Sequence, residues 1–74
     1  MVFEKIREII CYQLELEPED VTLDSDLRAD LGAESLDLYD IVTTLEKEFD
    51  LSVNDKHIEE LLTVDDVVRY VEEH

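Results

Sequence analysis

The sequence predicts an all-α fold: a small four-helix bundle with a long loop between the first and second helices and a short third helix. Two observations point there. Apolar residues make up 45% of the 74, and they recur three and four positions apart, without the strict alternation of a half-buried strand. The single glycine and the single proline, Gly32 and Pro18, both fall between such stretches. A high charge content can mark disorder, but apolar residues at helical spacing favour a folded chain. The length suits one small domain over residues 1–74, with a modest core.

The first helix is expected from about Phe3 to Leu16. Phe3, Ile6, Ile10 and Leu14 share one face, with Val2 and Ile9 beside them, and Glu4, Glu8 and Glu15 lie away from it. Pro18 ends this helix, because the residue before a proline is pushed out of the α region. It also suits the first position of a short turn, Pro18-Glu19-Asp20-Val21. Residues 17–34 then form a connection longer than most. Leu23, Leu27 and Leu31 recur every fourth residue within it and are expected to pin it to the bundle.

The second helix is expected from Ser35 to Phe49, with Leu38, Ile41, Val42, Leu45 and Phe49 as its core stripe. Leu36 points away from that stripe, on the side of Asp40, Thr43 and Lys47. Tyr39 covers the edge. A third, short helix is expected over about Asp55 to Leu62, capped by Asn54 or Asp55, with Ile58, Leu61 and Leu62 on one side. Thr63 caps the last helix, in which Val64, Val67, Val68 and Val71 hold the i, i+3, i+4, i+7 positions. Valines favour strands, but a cap precedes them and alternation is absent.

Composition narrows the function. Twenty-two acidic residues against six basic give a net charge of −16. Nucleic acids and anionic membranes are repelled by such a surface, while basic protein surfaces are attracted in a salt-sensitive way. Cys11 is the only cysteine, so neither an internal disulfide nor a cysteine metal site forms. It sits on the flank of the first helix without an activating neighbour. No stretch has the length and apolarity of a membrane span, and the first residues lack the pattern of a signal peptide. A cytoplasmic monomer is expected.

Enzyme chemistry finds no support. A Gly-x-Ser-x-Gly elbow is impossible with one glycine, and nothing places His57 or His74 as a base. His57 reads as a solvated residue and His74 as a frayed end. Asp24, Ser25, Asp26 and Asp30 suggest a calcium loop, but Ala29 and Ser35 stand where such a loop needs glycine and glutamate. Tyr12, Tyr39 and Tyr70 form no stacking pattern.

Ser35 is the candidate that remains. A serine at a helix start is ordinarily an N-cap. A helix N-terminus also carries unpaired N–H donors and partial positive charge, which favour a phosphate there. Gly32 permits a tight turn just before it, and the short side chains of Gly32 and Ala33 leave the hydroxyl approachable.

Asp30-Leu31-Gly32-Ala33-Glu34-Ser35-Leu36-Asp37, followed by Leu45-Glu46-Lys47-Glu48-Phe49-Asp50, resembles the acyl carrier protein family, and the match runs over essentially the whole chain. The resemblance implies that Ser35 carries 4′-phosphopantetheine through a phosphodiester, installed from coenzyme A by a phosphopantetheinyl transferase with magnesium. The thiol of that arm would carry acyl groups as thioesters, and the chain itself would catalyse nothing. The resemblance further implies docking to synthase enzymes with basic patches through Asp37, Asp40 and Glu46, with Glu34 and Leu36 near the serine. Three positions depart from the family's pattern. Glu34 replaces the usual aspartate and keeps its charge, Thr43 replaces a frequent exposed apolar residue, and Lys47 interrupts the acidic run. Thr43 and Lys47 fall on the docking face, where partner choice is set. Gly-Ala before the acidic residue is similar to fatty-acid and polyketide carriers more than to peptidyl carriers. A free-standing chain of this length fits dissociated fatty acid synthesis. The other readings are a carrier of a polyketide or other specialised pathway, and an acidic helical interaction module without a prosthetic group.

Overall fold

The computed structural model describes residues 2–73, and the expectation placed on His74 lies outside them. The elements in order are α1 (Val2–Leu14), one 3₁₀ turn (Pro18–Asp20), α2 (Ser35–Phe49), α3 (Asp55–Glu60) and α4 (Val64–Glu73). Among the described residues there is no strand, only an isolated antiparallel bridge between Asp26 and Thr63. α1 packs against both α2 and α4, and α3 packs against α2.

The apolar stripes do what their spacing requires. Ile6, Ile9 and Ile10 of α1, Leu38, Ile41, Val42 and Leu45 of α2, and Val64, Val67, Val68 and Val71 of α4 are all buried in one cluster. Ile58 and Leu61 close it from the α3 side.

α1 stops at Leu14, two residues before the expected end at Leu16. Pro18 holds Glu17 extended, with φ −90 and ψ 151. Glu15 meanwhile turns into the left-handed region at φ 57. The Leu16 N–H then donates back to the Cys11 carbonyl at 3.0 Å, so the last carbonyls are satisfied by a left-handed turn and not by further helix. α2 ends in the same way, on Asp50 at φ 51 and ψ 54. Its Asp50 and Leu51 N–H groups both donate to the Glu46 carbonyl.

The long connection is held mainly by backbone. The Leu27 N–H donates to the Leu62 carbonyl at 2.9 Å, Val64 N–H to Ser25 carbonyl at 3.0 Å, and Asp65 N–H to Leu23 carbonyl at 3.0 Å. These bonds clamp the loop to the α3–α4 junction. They also correct two expectations. Leu23 is not an anchor: its side chain is 42% exposed, while Val21 and Leu27 are buried and Leu31 is half-buried. An every-fourth spacing gathers side chains only on a helix, and this segment is not one. Leu62 is not in the core either. α3 ends at Glu60, so Leu62 leaves the helical register, lends its carbonyl to the clamp and turns a side chain 57% exposed outward.

α4 starts on a reciprocal cap. The Thr63 hydroxyl accepts from the Asp66 N–H at 3.1 Å, and Asp66 Oδ2 accepts from the N–H groups of Thr63 and Leu62, each at 3.0 Å. Arg69 adds a guanidinium 2.7 Å from Asp66 Oδ1. Burial pushes the Asp66 carboxyl up, but the Thr63 and Leu62 N–H donors, with Arg69 and the Thr63 side chain, outweigh it and hold it below its ordinary value. A depressed carboxyl stabilises the fold above its unfolded-state pKa and loses that contribution as pH falls through the folded one. Asp66→Asn is therefore expected to cost about 1 kcal/mol near neutral pH. The gap from the parent protein should close as urea titrations are moved from pH 6 toward about pH 3.

His57 is half-buried, contrary to the solvated reading. Its Nδ1 lies 3.2 Å from the Tyr70 hydroxyl, and the two rings meet edge-on at 5.5 Å. The Tyr70 hydroxyl also donates to the Ser52 carbonyl at 3.2 Å. α3 and the loop before it are thereby tied to α4.

Candidate functional site at the start of the second helix

A capped turn delivers the chain to Ser35. Asp26 Oδ1 accepts from the N–H groups of Arg28 and Ala29 at 2.9 and 2.8 Å, and Asp30 Oδ2 accepts from the Asp26 N–H at 2.8 Å. Two of the aspartates that suggested a calcium loop, Asp26 and Asp30, are thus occupied in capping backbone N–H groups of the turn. Among the described residues no group of three or more His, Cys, Asp or Glu is placed to hold a metal ion.

The turn ends on Gly32 at φ +74. A Cβ there would meet nothing within 4 Å, so the glycine is required by the backbone and not by crowding. Gly32→Ala is expected to lower stability by about 1–2 kcal/mol, read as a lower urea midpoint at unchanged slope. Gly32→Asn should lose less, because asparagine tolerates this region. Ala33 corrects the reading that it gives access to the serine. It is buried in the core, and its N–H donates to the Leu27 carbonyl at 2.8 Å, which ties the approach to Ser35 to the clamp.

Ser35 is the first residue of α2 and is exposed. It is not the N-cap. Glu34 takes that position, with φ −98 and ψ 173, and its N–H donates to Asp37 Oδ2 at 3.0 Å. The serine hydroxyl is thus left for other chemistry. The N–H groups of the first helical turn have no carbonyl partner within the helix. Such donors, together with the helix dipole, favour a phosphate attached at the start of a helix. The residues present fit such a group. Glu34 and Asp37 flank the position with negative charge, which attracts a basic partner more than it aids the phosphate.

Around α2 the expected partner residues divide by exposure. Leu36, Asp40, Thr43 and Lys47 are all exposed, and Leu36 keeps 78% of its surface. Thr43 spends its hydroxyl on the Tyr39 carbonyl at 2.8 Å, leaving its methyl as the side chain's outward chemistry. Glu46 is half-buried, and its Oε2 accepts from the Val53 N–H at 2.9 Å, fastening the α2–α3 loop. Asp37 is half-buried with its carboxylate on the Glu34 N–H. Leu62 joins Leu23 as an exposed apolar residue that the sequence reading turned inward. The chain boundary that exposes it depends on the clamp, and no spacing signal reveals it.

Cys11 offers no competing nucleophile. Burial raises its thiol pKa, and Asp20, Glu17 and Glu19 add to the rise against the opposing pull of Arg7. No helix of the described residues is long and apolar enough to cross a membrane.

Comparison with known proteins places this geometry. Residues 4–71 match the family model described as a phosphopantetheine attachment site. An acyl carrier protein of Clostridium acetobutylicum is 40% identical over 74 residues, covering 100% of this chain and 96% of that protein. One of Wolinella succinogenes is 42% identical over 71 residues, covering 96% and 93%. A solved structure from Mycobacterium tuberculosis, assigned to the acyl carrier proteins, superposes with a TM-score of 0.92 at 32% identity, covering 99% of this chain and 97% of that one. With the helix order, the exposed serine at the head of α2 and these matches along nearly the full length, the chain belongs to the acyl carrier protein family, whose prosthetic group is covalently attached 4′-phosphopantetheine.

Proposed function

We propose that Ser35 is the residue that bears the arm and that the chain carries acyl groups as thioesters in dissociated fatty acid biosynthesis, as a cytoplasmic monomer. The observation that carries this reading is the exposure of Ser35 at the first position of α2, with the N-cap position held by Glu34 instead. The hydroxyl is free to attack the coenzyme A phosphorus that bears the pantetheine, losing its proton to the transferase's base as the pyrophosphate P–O bond breaks and adenosine 3′,5′-bisphosphate leaves. Once attached, the arm supplies the thiol that forms the thioester. The chain's own share is positional. Gly32 and the capped turn before it fix where Ser35 emerges, and the first-turn N–H groups stabilise the phosphodiester.

Partner enzymes supply the catalysis. Their basic patches meet α2 at Glu34, Leu36, Asp37, Asp40, Thr43, Glu46 and Lys47. Exposure supports Leu36, Asp40, Thr43 and Lys47 as the direct contacts. The engaged carboxylates of Asp37 and Glu46 support a role as fixed negative charge. Gly32-Ala33 before Glu34 supports the fatty-acid assignment over a peptidyl one. The test is intact mass after incubation with coenzyme A, magnesium and a broad-specificity phosphopantetheinyl transferase. One added phosphopantetheinyl group is expected; folded protein that gains none overturns the reading. Loading with malonyl and acyl groups, followed by turnover with a fatty-acid ketosynthase, checks the pathway.

A further inference from the structure

A groove of about 250 Å³ runs between α1 and α2, apart from the serine. Ile9 and Gln13 line its α1 side, and Thr44 its α2 side. Tyr12 stands on its rim with 87% of its surface exposed, the most exposed of the large hydrophobic side chains among the described residues. Glu8 lies one turn before Tyr12 on the same helix face, and Glu48 faces them from α2.

The groove has a charge character of its own. Its cation, Lys5, is 3.6 Å from Glu48, and Glu8 has no ion pair among the described residues. An apolar acyl chain laid there would strip water from these carboxylates without pairing them. A second copy of the chain would bring another net charge of −16 against the first. A cation with a flat face suits both features, because an aromatic ring attracts it from one side and carboxylates from the others.

The groove is also continuous with the outer face of α2. Gln13 Nε2 donates to Asp40 Oδ2 at 3.3 Å, so Asp40 forms the corner shared by the two surfaces. A partner resting on Leu36 and Asp40 can reach over this corner onto α1.

We propose that the α1–α2 groove is a second docking site for a basic segment of a partner protein, with an arginine stacked on Tyr12 between Glu8 and Glu48. The continuity through Asp40 rests on the docking face proposed above, but the groove is testable without the prosthetic group. The partner's affinity is then set by two surfaces, one around the serine and one on α1.

The test uses the unmodified protein, labelled with ¹⁵N, titrated with an N-acetylated, C-amidated tetra-arginine peptide at low salt. Saturable shifts are expected at the amides of Glu8, Tyr12, Thr44 and Glu48. The arginine side-chain protons should move upfield in the ring current of Tyr12. Tyr12→Ala should remove that upfield movement and weaken binding roughly two- to fivefold, while Tyr12→Phe keeps both. Glu8→Lys should weaken binding further. Tyr12 is too exposed for these variants to disturb the core, and far-ultraviolet circular dichroism checks that. Shifts confined to the outer face of α2, or binding unchanged by Tyr12→Ala, would overturn the proposal. So would sedimentation showing that the chain dimerises through Tyr12, because the groove's occupant would then be a second copy.

Discussion

Ser35→Ala is expected to abolish transfer of the phosphopantetheinyl group completely while leaving the fold almost unchanged. The first half follows from chemistry. The phosphodiester needs the serine oxygen, and the lone thiol elsewhere, Cys11, is half-buried on α1 with its pKa raised by burial. The second half follows from position. Ser35 is exposed and is not the N-cap, so alanine removes no capping bond from α2. Alanine is also a favourable residue within a helix. The thermal midpoint should move by no more than a change of about 0.5 kcal/mol implies. Intact mass after transferase treatment reads the first effect, and a thermal melt the second. A variant that still gains the group would place the anchor elsewhere. A variant that unfolds would mean that Ser35 is structural.

Leu27→Ala is expected to unfold a large fraction of the molecules. Leu27 is 1% exposed, so its truncation leaves a cavity costing about 2–5 kcal/mol. A domain of this size has roughly 3–5 kcal/mol in hand. Its N–H bonds to Leu62 and its carbonyl accepts from Ala33; alanine keeps both backbone bonds but removes the buried side chain that anchors this part of the clamp. Loss of its side chain should loosen the backbone on either side of Ser35 as well as the core. Leu23→Ala is the control. Its side chain is 42% exposed, and its role in the clamp is made by the backbone carbonyl, which alanine retains. A change of about 0.5 kcal/mol or less is expected. Urea titrations of the two variants give the comparison. Equal losses would restore the reading of the loop leucines as equivalent anchors.

That contrast shows where periodicity fails. Helix positions were legible because side chains three and four apart share a face whatever the surroundings. Val64, Val67, Val68 and Val71 are buried as their spacing requires, despite valine's preference for strands. In residues 17–34 the same rule assigned Leu23, Leu27 and Leu31 one role, and the structure gives them three degrees of burial. The rule has no force where the backbone does not coil. Helix ends show the same limit. Pro18 foretold a break, but the turn-off itself is made by Glu15 in a left-handed conformation that glutamate does not advertise.

The candidate site divides likewise. Ser35, its preceding glycine and the acidity around them are local properties of consecutive residues, so the chain alone determined them. The helical stripes and the net charge were determined in the same way. What Ser35 is free to do was decided by the folded backbone, in which Glu34 and not the serine holds the N-cap position next to Ala33, itself bonded to the Leu27 carbonyl. The roles of Glu46, bound to the Val53 N–H, and of Leu62, turned outward, were decided there too. So was the groove beneath Tyr12, which exists only because α1 lies against α2. The physical reason is common to all of them. Hydrophobic spacing fixes which face of a helix is buried, whereas a polar group's task depends on which distant backbone it meets after that burial is complete.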